Sequence, residues 1–274
     1  MLKNKMFKGK KKISQVLLIS LLLALSIVNF SHANTLKVCY DQWPPMTIFP
    51  SEGFPARGFV IDMLEQIYTS KGYQLEYYEV PLARGLDMVA DGLCDMLPEY
   101  LFSQDTEVGF EYATEATFAY PTAFVVRQDE SWRYDGIQSI QGKRVATGPG
   151  WDYSSVSVDY QNYIDDPNNS DLVEVIAGSS DVVERIFQMI KAGRIDLYAD
   201  NMLVLQYMLN RFDWNNGLKI VRPGLENKLV EIPIFSNKMP AERRQTLINI
   251  WNSGRLSIKG DKQKMLLKKY NVAL

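Results

Sequence analysis

Carboxylates, rather than histidine, are the side chains of this 274-residue chain that could carry acid–base chemistry. The single histidine, His32, lies in a leader-like segment at the start of the chain, so the rest of the protein has none. This excludes catalysis by Ser–His–Asp or Cys–His arrangements, and it excludes metal sites built on histidine. Acid–base chemistry would fall to carboxylates such as Glu99, Asp152 or Asp200. We predict no cofactor and no bound metal.

Short strands and amphipathic helices alternate along the chain in two similar halves. The first half predicts strands at 36–40, 74–80 and from 94 to Pro98, which ends the strand, with helices at 58–73 and 82–92. The second half predicts strands at 142–148, 172–178, 194–199 and 218–223, and helices after GPGWDYSSV, at 179–193 with Ser180 as N-cap, and at 201–212. Two amphipathic helices, at 240–254 and 259–274, close the chain. This order predicts an α/β protein with parallel sheets wrapped by helices.

A similar phrase, DGLCDML at 91–97 and AGRIDLY at 192–198, occurs once in each half. In both, a glycine ends a helix and an aspartate, Asp95 or Asp196, opens a buried strand. Short polar residues at such positions usually bind the backbone, so we interpret both aspartates as helix-cap or turn partners. The repeated unit predicts two separate α/β lobes.

Polar and aromatic residues follow the predicted strands. Open α/β sheets bind ligands at the carboxyl ends of their strands, and two facing lobes would share one cleft there. The residues at these ends are Asp41, Trp43, Glu99 and Tyr100 in the first lobe and Trp151, Asp152, Asp200 and Asn201 in the second. We therefore predict a cleft lined by acids and aromatic rings.

The first 33 residues predict a signal peptide. MLKNKMFKGKKK carries six lysines and no acid, an apolar run follows, and SHA precedes Asn34. An uncleaved membrane anchor is the alternative, but the apolar run is near the lower limit for a span. We predict cleavage and a periplasmic protein.

The charge and the cysteines restrict the partners and the fold. Without the six lysines of the leader, 24 basic residues face 32 acidic ones, a net charge of −8. Nucleic acid and anionic lipid surfaces both need a basic footprint, so neither is expected as a partner.

Two cysteines remain, Cys39 and Cys94, and the sequence leaves open whether they form a disulfide or are two small buried apolar residues.

The chain resembles the periplasmic solute-binding proteins of family 3, the polar amino-acid type that feeds ABC importers. The resemblance covers nearly the whole chain after residue 33 and rests on six stretches in the family's order: CYDQWPPM, GFVIDMLEQI, VPLARGLDMVADGLCDML, GKRVATGPGWDY, AGRIDLYAD and NSGRLSIKGDKQKMLLKKY. It implies a two-lobed periplasmic-binding-protein type II fold with two hinge strands, near 123–127 and 231–237. Lobe 1 would take 34–127 plus 231–274, and lobe 2 would be inserted as 128–230.

The resemblance also implies roles for single residues. Trp43 would pack on the ligand, although a loop tryptophan packed on proline is the alternative. Gly150 and Trp151 would present a helix N-terminus to the ligand, and Asp152 would line the cleft there or cap that helix. Asp200 lies near the position that holds a ligand ammonium in relatives. Arg84 would face the cleft or be a solvated helix arginine.

One departure from the family changes the expected ligand. Amino-acid binders carry an arginine after the third strand of the first lobe, which pairs with the α-carboxylate of the ligand. Between Tyr100 and Glu115 this chain has no arginine or lysine, and Asp105 or Thr106 falls at the expected place. We therefore hypothesise a solute with an amine or several hydroxyls, any α-carboxylate being held by Arg84 or by the Gly150–Trp151 helix end.

Three functions follow from this sequence. The first is a monomeric binding protein that captures a small polar solute and delivers it to an ABC-type membrane permease. The second is a periplasmic ligand-sensing subunit of a membrane receptor. The third, least favoured by the residues, is a small carboxylate-based, dehydratase-like enzyme of the same fold.

Overall fold

Both halves of the chain fold as the alternating strands and helices that their hydrophobic periodicity predicts. In chain order the strands are β1 (Thr35–Tyr40), β2 (Gln74–Glu79), β3 (Met96–Leu101), β4 (Phe110–Tyr112), β5 (Phe118–Arg127), β6 (Val145–Thr147), β7 (Val173–Val175), β8 (Leu197–Asn201), β9 (Leu218–Val221) and β10 (Lys228–Ser236). The α-helices are α1 (Phe59–Leu64), α2 (Leu82–Ala90), α3 (Val158–Asp165), α4 (Val182–Lys191), α5 (Met202–Arg211), α6 (Ala241–Ile258) and α7 (Asp261–Lys269). A π-helical turn, Glu65–Thr69, extends α1, and 3₁₀ turns span Ile137–Ile140 and Pro167–Asn169.

The computed structural model describes residues 35–51, 53, 55–101, 109–178, 181–224 and 228–273. The predicted signal peptide, the predicted N-cap at Ser180, and Asp105 with Thr106 lie outside these residues. Within the described ranges, no helix combines the length and the hydropathy that a bilayer crossing requires.

Two groups of parallel strands lie on either side of β5. Strand β1 pairs in parallel with β2 and β3, and β6 pairs in parallel with β7 and β8. The first four residues of β5 pair with β10, which also runs antiparallel to β3, whereas the rest of β5 pairs with β8 and β9. The strand order is β2-β1-β3-β10-β5-β8-β6-β7. The predicted α/β fold with two lobes joined by two long strands is therefore confirmed, while the lobe limits at 127 and 231 stay a prediction.

Each strand group has an apolar core. The first is packed around Phe59, Tyr68 and Trp251, which are fully buried. Gly254 lets helix α6 approach the π-helical turn, because a Cβ there would lie 2.6 Å from Cγ2 of Ile67. The second strand group carries one cluster that includes Phe187 and Tyr198 and another that includes Phe124 and Tyr160. The carboxyl ends of the strands are thus held by separate cores.

Asp95 and Asp196 bind the backbone in the same way. The Asp95 carboxylate accepts a 2.9 Å hydrogen bond from the backbone N–H of Lys37, and the Asp196 carboxylate accepts one of 2.9 Å from the backbone N–H of Arg144. An arginine supports each aspartate, Arg243 at 3.1 Å from Asp95 and the Arg144 side chain at 2.8 Å from Asp196. The interpretation of both as backbone partners at strand starts is confirmed.

One detail of the predicted strands differs from the structure. Pro98 was expected to end a strand, but β3 continues through it to Leu101. The register with β10 shifts there, since Leu97 opposes Ile234 and Tyr100 opposes Ile232. Pro98 falls in this irregular stretch, where the ladder tolerates a residue without an N–H.

Cys39 and Cys94 form a disulfide, which settles the alternative that the sequence left open. Their Cα atoms are 5.8 Å apart, and both residues are fully buried. The bond ties the end of β1 to the turn before β3 and closes a loop with a sequence separation of 55. Such a cross-link stabilises the fold mainly by restricting the unfolded chain.

We expect Asp196→Ala to lower the free energy of unfolding by about 2 kcal/mol, because it leaves the backbone N–H of Arg144 without its acceptor and removes the bidentate pair. Asp181→Ala is the matched control, since Asp181 is exposed and its pair with Arg185 measures 3.9 Å. Urea denaturation followed by circular dichroism compares the two. Equal losses for both variants would contradict the role given to Asp196.

Candidate functional site

Trp43 stands where the two lobes meet. The loop that carries it is tight, with the backbone N–H of Trp43 donating to the carbonyl of Thr47 at 2.9 Å. The indole packs on Phe118 with ring centroids 5.7 Å apart, and it contacts the apolar clusters of both strand groups. The indole also lies beside Asp200, near the end of β8 in the other lobe. One aromatic residue of the first lobe thus stands next to an acid of the second.

Glu99 is a buried carboxyl with an incomplete set of partners. The residue is 5% exposed, its Oε2 accepts a 3.2 Å hydrogen bond from the hydroxyl of Thr47, and its Oε1 has no hydrogen-bond partner in the described part of the chain. Burial raises the pKa of Glu99 well above its usual range, and the nearby Asp41 and Glu231 raise it further. The group therefore resists ionisation unless a positive charge comes close.

Asp41 and Glu231 lie at the same edge of the first strand group as Glu99. Asp41 follows the carboxyl end of β1, and Glu231 lies near the start of antiparallel β10. Burial raises the pKa of Asp41 to about 6. Burial, followed by the charges of Asp41 and Asp152, raises the pKa of Glu231 to about 8. Glu231 was not among the predicted site residues. Its position at the start of the predicted hinge segment 231–237 could have indicated that it lies between the lobes.

Asp200 is the acid of the second lobe that lies deepest. It is 9% exposed and accepts hydrogen bonds from the hydroxyl of Tyr198 and, at 2.6 Å, from the backbone N–H of Asn201. Burial raises the pKa of Asp200 to about 7, although the hydrogen bonds from Tyr198 and Asn201 and the neighbouring Trp43 indole act in the opposite direction. Asn201 caps helix α5 through the backbone N–H of Leu203, and its Nδ2 is buried without a partner.

The segment after β6 is built differently from the prediction. Helix α3 begins at Val158 and is capped by Ser157, whose Oγ accepts from the backbone N–H of Tyr160 at 3.0 Å. The expectation that Gly150 and Trp151 form a helix N-terminus is therefore wrong. Asp152 does not cap that helix either, because its carboxylate accepts from the backbone N–H of Ser154 at 2.7 Å in a turn of its own.

Trp151 is the aromatic residue that this segment contributes. Its ring lies 6.1 Å from that of Tyr198, centroid to centroid, and it rests against the backbone at Gly148. A Cβ at Gly148 would come within 2.2 Å of the indole, so only glycine fits beneath Trp151. Gly150 is exposed, with a positive φ of 70°, and supplies the turn that brings Trp151 back.

Two other predicted site residues lie elsewhere. Tyr100 stacks on Tyr112 and meets Phe110 edge-on, within the apolar cluster of Cys39 and Val89. Arg84 is exposed on helix α2 and is not among the groups that shift the pKa of the cleft acids. The structure therefore brings together the acids and the two tryptophans, and ligand contacts for Arg84 and Tyr100 stay a prediction.

The gathered acids share a cleft environment without a described cation. Burial raises the pKa of all four acids, neighbouring acids raise those of Glu99 and Glu231 further, and no lysine or arginine of the described residues is among the groups that lower them. Burying several carboxyls together is costly unless they are neutral or matched by positive charge. The arrangement is thus suited to binding, with the charge to be supplied by a ligand.

We expect the melting temperature of the ligand-free protein to fall as the pH rises from about 5 to about 9. The folded-state pKa values of about 7 for Asp200 and about 8 for Glu231 lie above the ordinary values of 3.8 and 4.5. Folding therefore favours the protonated forms, and that stability is lost as the pH rises through this window. Thermal unfolding at several pH values measures the slope.

Glu231→Gln should flatten this slope, because the amide has no proton to lose. Glu174→Gln is the control, since Glu174 is exposed on β7. A melting temperature that stays level or rises over the same range would contradict the assignment.

Comparison with known proteins gives a family for this arrangement. A model of the family described as bacterial extracellular solute-binding proteins, family 3, matches residues 36–272. A search of curated proteins found no match.

Similar solved structures include the periplasmic VFT2 domain of BvgS from Bordetella pertussis, with 17% identity, a TM-score of 0.65, and coverage of 87% of this chain and 94% of that chain. A histidine kinase sensor domain with similarity to periplasmic binding proteins has 16% identity, a TM-score of 0.66 and coverage of 88% and 97%. The substrate-binding protein of an amino acid ABC transporter has 16% identity, a TM-score of 0.65 and coverage of 86% and 98%. These identities indicate likeness of fold. Because the family model spans nearly all of the described residues, this chain belongs to the bacterial extracellular solute-binding proteins of family 3.

Proposed function

We propose that this protein is exported to the periplasm, captures a small polar solute between its two lobes as a monomer, and delivers it to an ABC-type membrane permease. The observation that carries the proposal is Trp43, which packs on Phe118, contacts the apolar clusters of both strand groups and lies beside Asp200. A residue that touches both walls of a cleft is well placed to close on a ligand. The family membership and the fold shared with an amino acid ABC transporter's binding protein support it.

The remaining predictions of the sequence fit this proposal. Lobe 1 is proposed as 34–127 plus 231–274 and lobe 2 as 128–230, with β5 and β10 as the hinge strands. The proposed ligand contacts are Asp41, Trp43, Glu99, Trp151, Asp152 and Asp200, joined by Glu231. The family consists of binding proteins, and the gathered carboxyls are explained by binding without a catalytic step.

A sensing subunit is the second candidate, because a histidine kinase sensor domain shares the fold over 88% of this chain. The two candidates differ in what loss of the protein does to a cell. If it feeds a permease, deletion should abolish uptake of the radiolabelled solute. If it feeds a receptor, uptake should continue and only the transcriptional response to the solute should disappear.

We expect Trp43→Ala to weaken solute binding by about 100-fold or more while the protein stays folded, since an aromatic anchor that contacts both strand groups contributes buried area and shape. A thermal-shift screen against amino acids, amines, organic acids and small sugars first finds the solute, because ligand at about 100 times its dissociation constant adds about 2.7 kcal/mol of stability. Isothermal titration then compares the variants.

Trp43→Phe should recover part of the affinity, because it keeps an aromatic ring at this position while losing the indole N–H and part of the ring area. Trp214→Ala is the matched control for loss of a tryptophan, since Trp214 packs on Phe187 and Phe212 beyond the far end of helix α5 from Asp200. Unchanged affinity in Trp43→Ala would show that Trp43 only packs.

A further inference from the structure

We infer that the captured solute is an organic dication, an alkyl diamine or a close relative, held by its ammonium groups with no need for a carboxylate of its own. This ligand class deepens the proposed function and rests on it, because the site is the same.

The first observation is the unpaired oxygen of Glu99. Glu99 is 5% exposed, and among the described residues its buried Oε1 has no hydrogen-bond partner while Oε2 has only the hydroxyl of Thr47. A buried polar atom left without a partner is unfavourable, and a charged donor is the partner that gains most from a carboxylate. An ammonium group seated at Glu99 supplies that donor.

The second observation is the distribution of the acids over both lobes. Asp41 and Glu231 are near enough to Glu99 to raise its pKa, whereas Asp200 closes the other side beneath Trp43. One ammonium at Glu99 would leave Asp200 without a positive partner. A metal ion does not fit, because among the described residues no three acidic, histidine or cysteine groups could hold one. An extended molecule with a charge at each end fits the two walls.

The third observation is the contrast with the other buried or half-buried acids of this protein. Asp95 has Arg243 at 3.1 Å, Asp196 has Arg144 at 2.8 Å, and Glu111 has Arg244 at 2.7 Å. The structure gives no such ion pair to the cleft acids within its described residues. The undescribed positions between 35 and 273, which are 52, 54, 102–108, 179–180 and 225–227, contain no lysine or arginine. These acids are therefore left protonated unless a ligand supplies the positive charge.

The fourth observation is the aromatic lining. Trp43 with Phe118 and Trp151 with Tyr198 form two ring pairs, at 5.7 Å and 6.1 Å between centroids. Aromatic faces attract ammonium groups and also pack on an alkyl chain. Carboxyls at two sides with rings beside them match an apolar spine that carries an amine at each end.

The test begins with the unmodified protein and three molecules with the same five-carbon chain: 1,5-diaminopentane, 1-aminopentane and 5-aminopentanoate. Diamines of three to six carbons then determine which chain length binds best. By isothermal titration we expect the best diamine to bind at least about 100-fold more tightly than the monoamine of the same length, since a buried carboxylate loses its partner. The amino acid should bind more weakly still, because it places a carboxylate against an acid.

The variants Glu99→Gln and Asp200→Asn test the two ends separately. Each should weaken diamine binding by about 10-fold to about 100-fold, and each should reduce the ratio of the diamine affinity to the monoamine affinity. Glu174→Gln, on exposed strand β7, should leave both affinities unchanged. Since the ligand series needs no variant, it tests the inference even where a variant fails to fold.

The outcomes separate the ligand class from the function. If the monoamine binds as tightly as the diamine, or if only acidic or uncharged solutes bind, the inference that the solute is a dication is wrong. The proposal that the protein captures a solute is not contradicted by either result. If no solute of any class binds, the proposed function fails together with it.

Discussion

The position of every group in the cleft depends on strand β5, which belongs to both lobes. Its first residue, Phe118, lies opposite Glu231 in the ladder with β10 and carries the ring on which Trp43 packs. Five residues later, Ala123 lies opposite Asp200 in the ladder with β8. The strand thus places an acid of each lobe and the aromatic residue between them on a single extended segment. A rotation within this strand would move one wall relative to the other.

The buried acids on the two sides of β5 would favour a cationic solute over an anionic one. Carboxyls that lose water on closure prefer to be neutral, and the raised pKa values of Asp41, Asp200 and Glu231 reflect that preference. An anionic solute would add to the unfavourable charge, whereas a cation relieves it. Trp43 stands next to both sets of groups, because its indole packs on Phe118 and lies beside Asp200. Under the proposed function, closure and recognition would draw on the same contacts.

Much of the fold is predictable from local pattern, and the limits of the prediction have physical reasons. Hydrophobic periodicity and the glycine stops locate the repeated units, because helix ends and buried strands are local features. Glu231 escapes such reasoning, since it reaches Glu99 only through the return of antiparallel β10. The helix expected at Trp151 begins at Val158 instead, because the turn at Asp152 and the cap at Ser157 compete for the preceding backbone. The inward or outward direction of Tyr100 depends on the irregular register beside Pro98.

The repeated unit has a second regularity that connects fold and function. Four residues after Asp95 stands Glu99, and four residues after Asp196 stands Asp200. In each lobe the first acid lies at the start of the strand and is matched by an arginine, Arg243 or Arg144, and by a backbone N–H. The second acid lies toward the carboxyl end, is more deeply buried, and has no such cation within the described structure. For Asp196, burial raises the pKa, but the hydrogen bonds from Arg144 outweigh it and hold the pKa below its usual value. In each lobe, the acid at the start of the strand thus stabilises the fold through its arginine and its backbone N–H. The acid toward the carboxyl end has no cation beside it in the described structure, and a cationic solute would be held there.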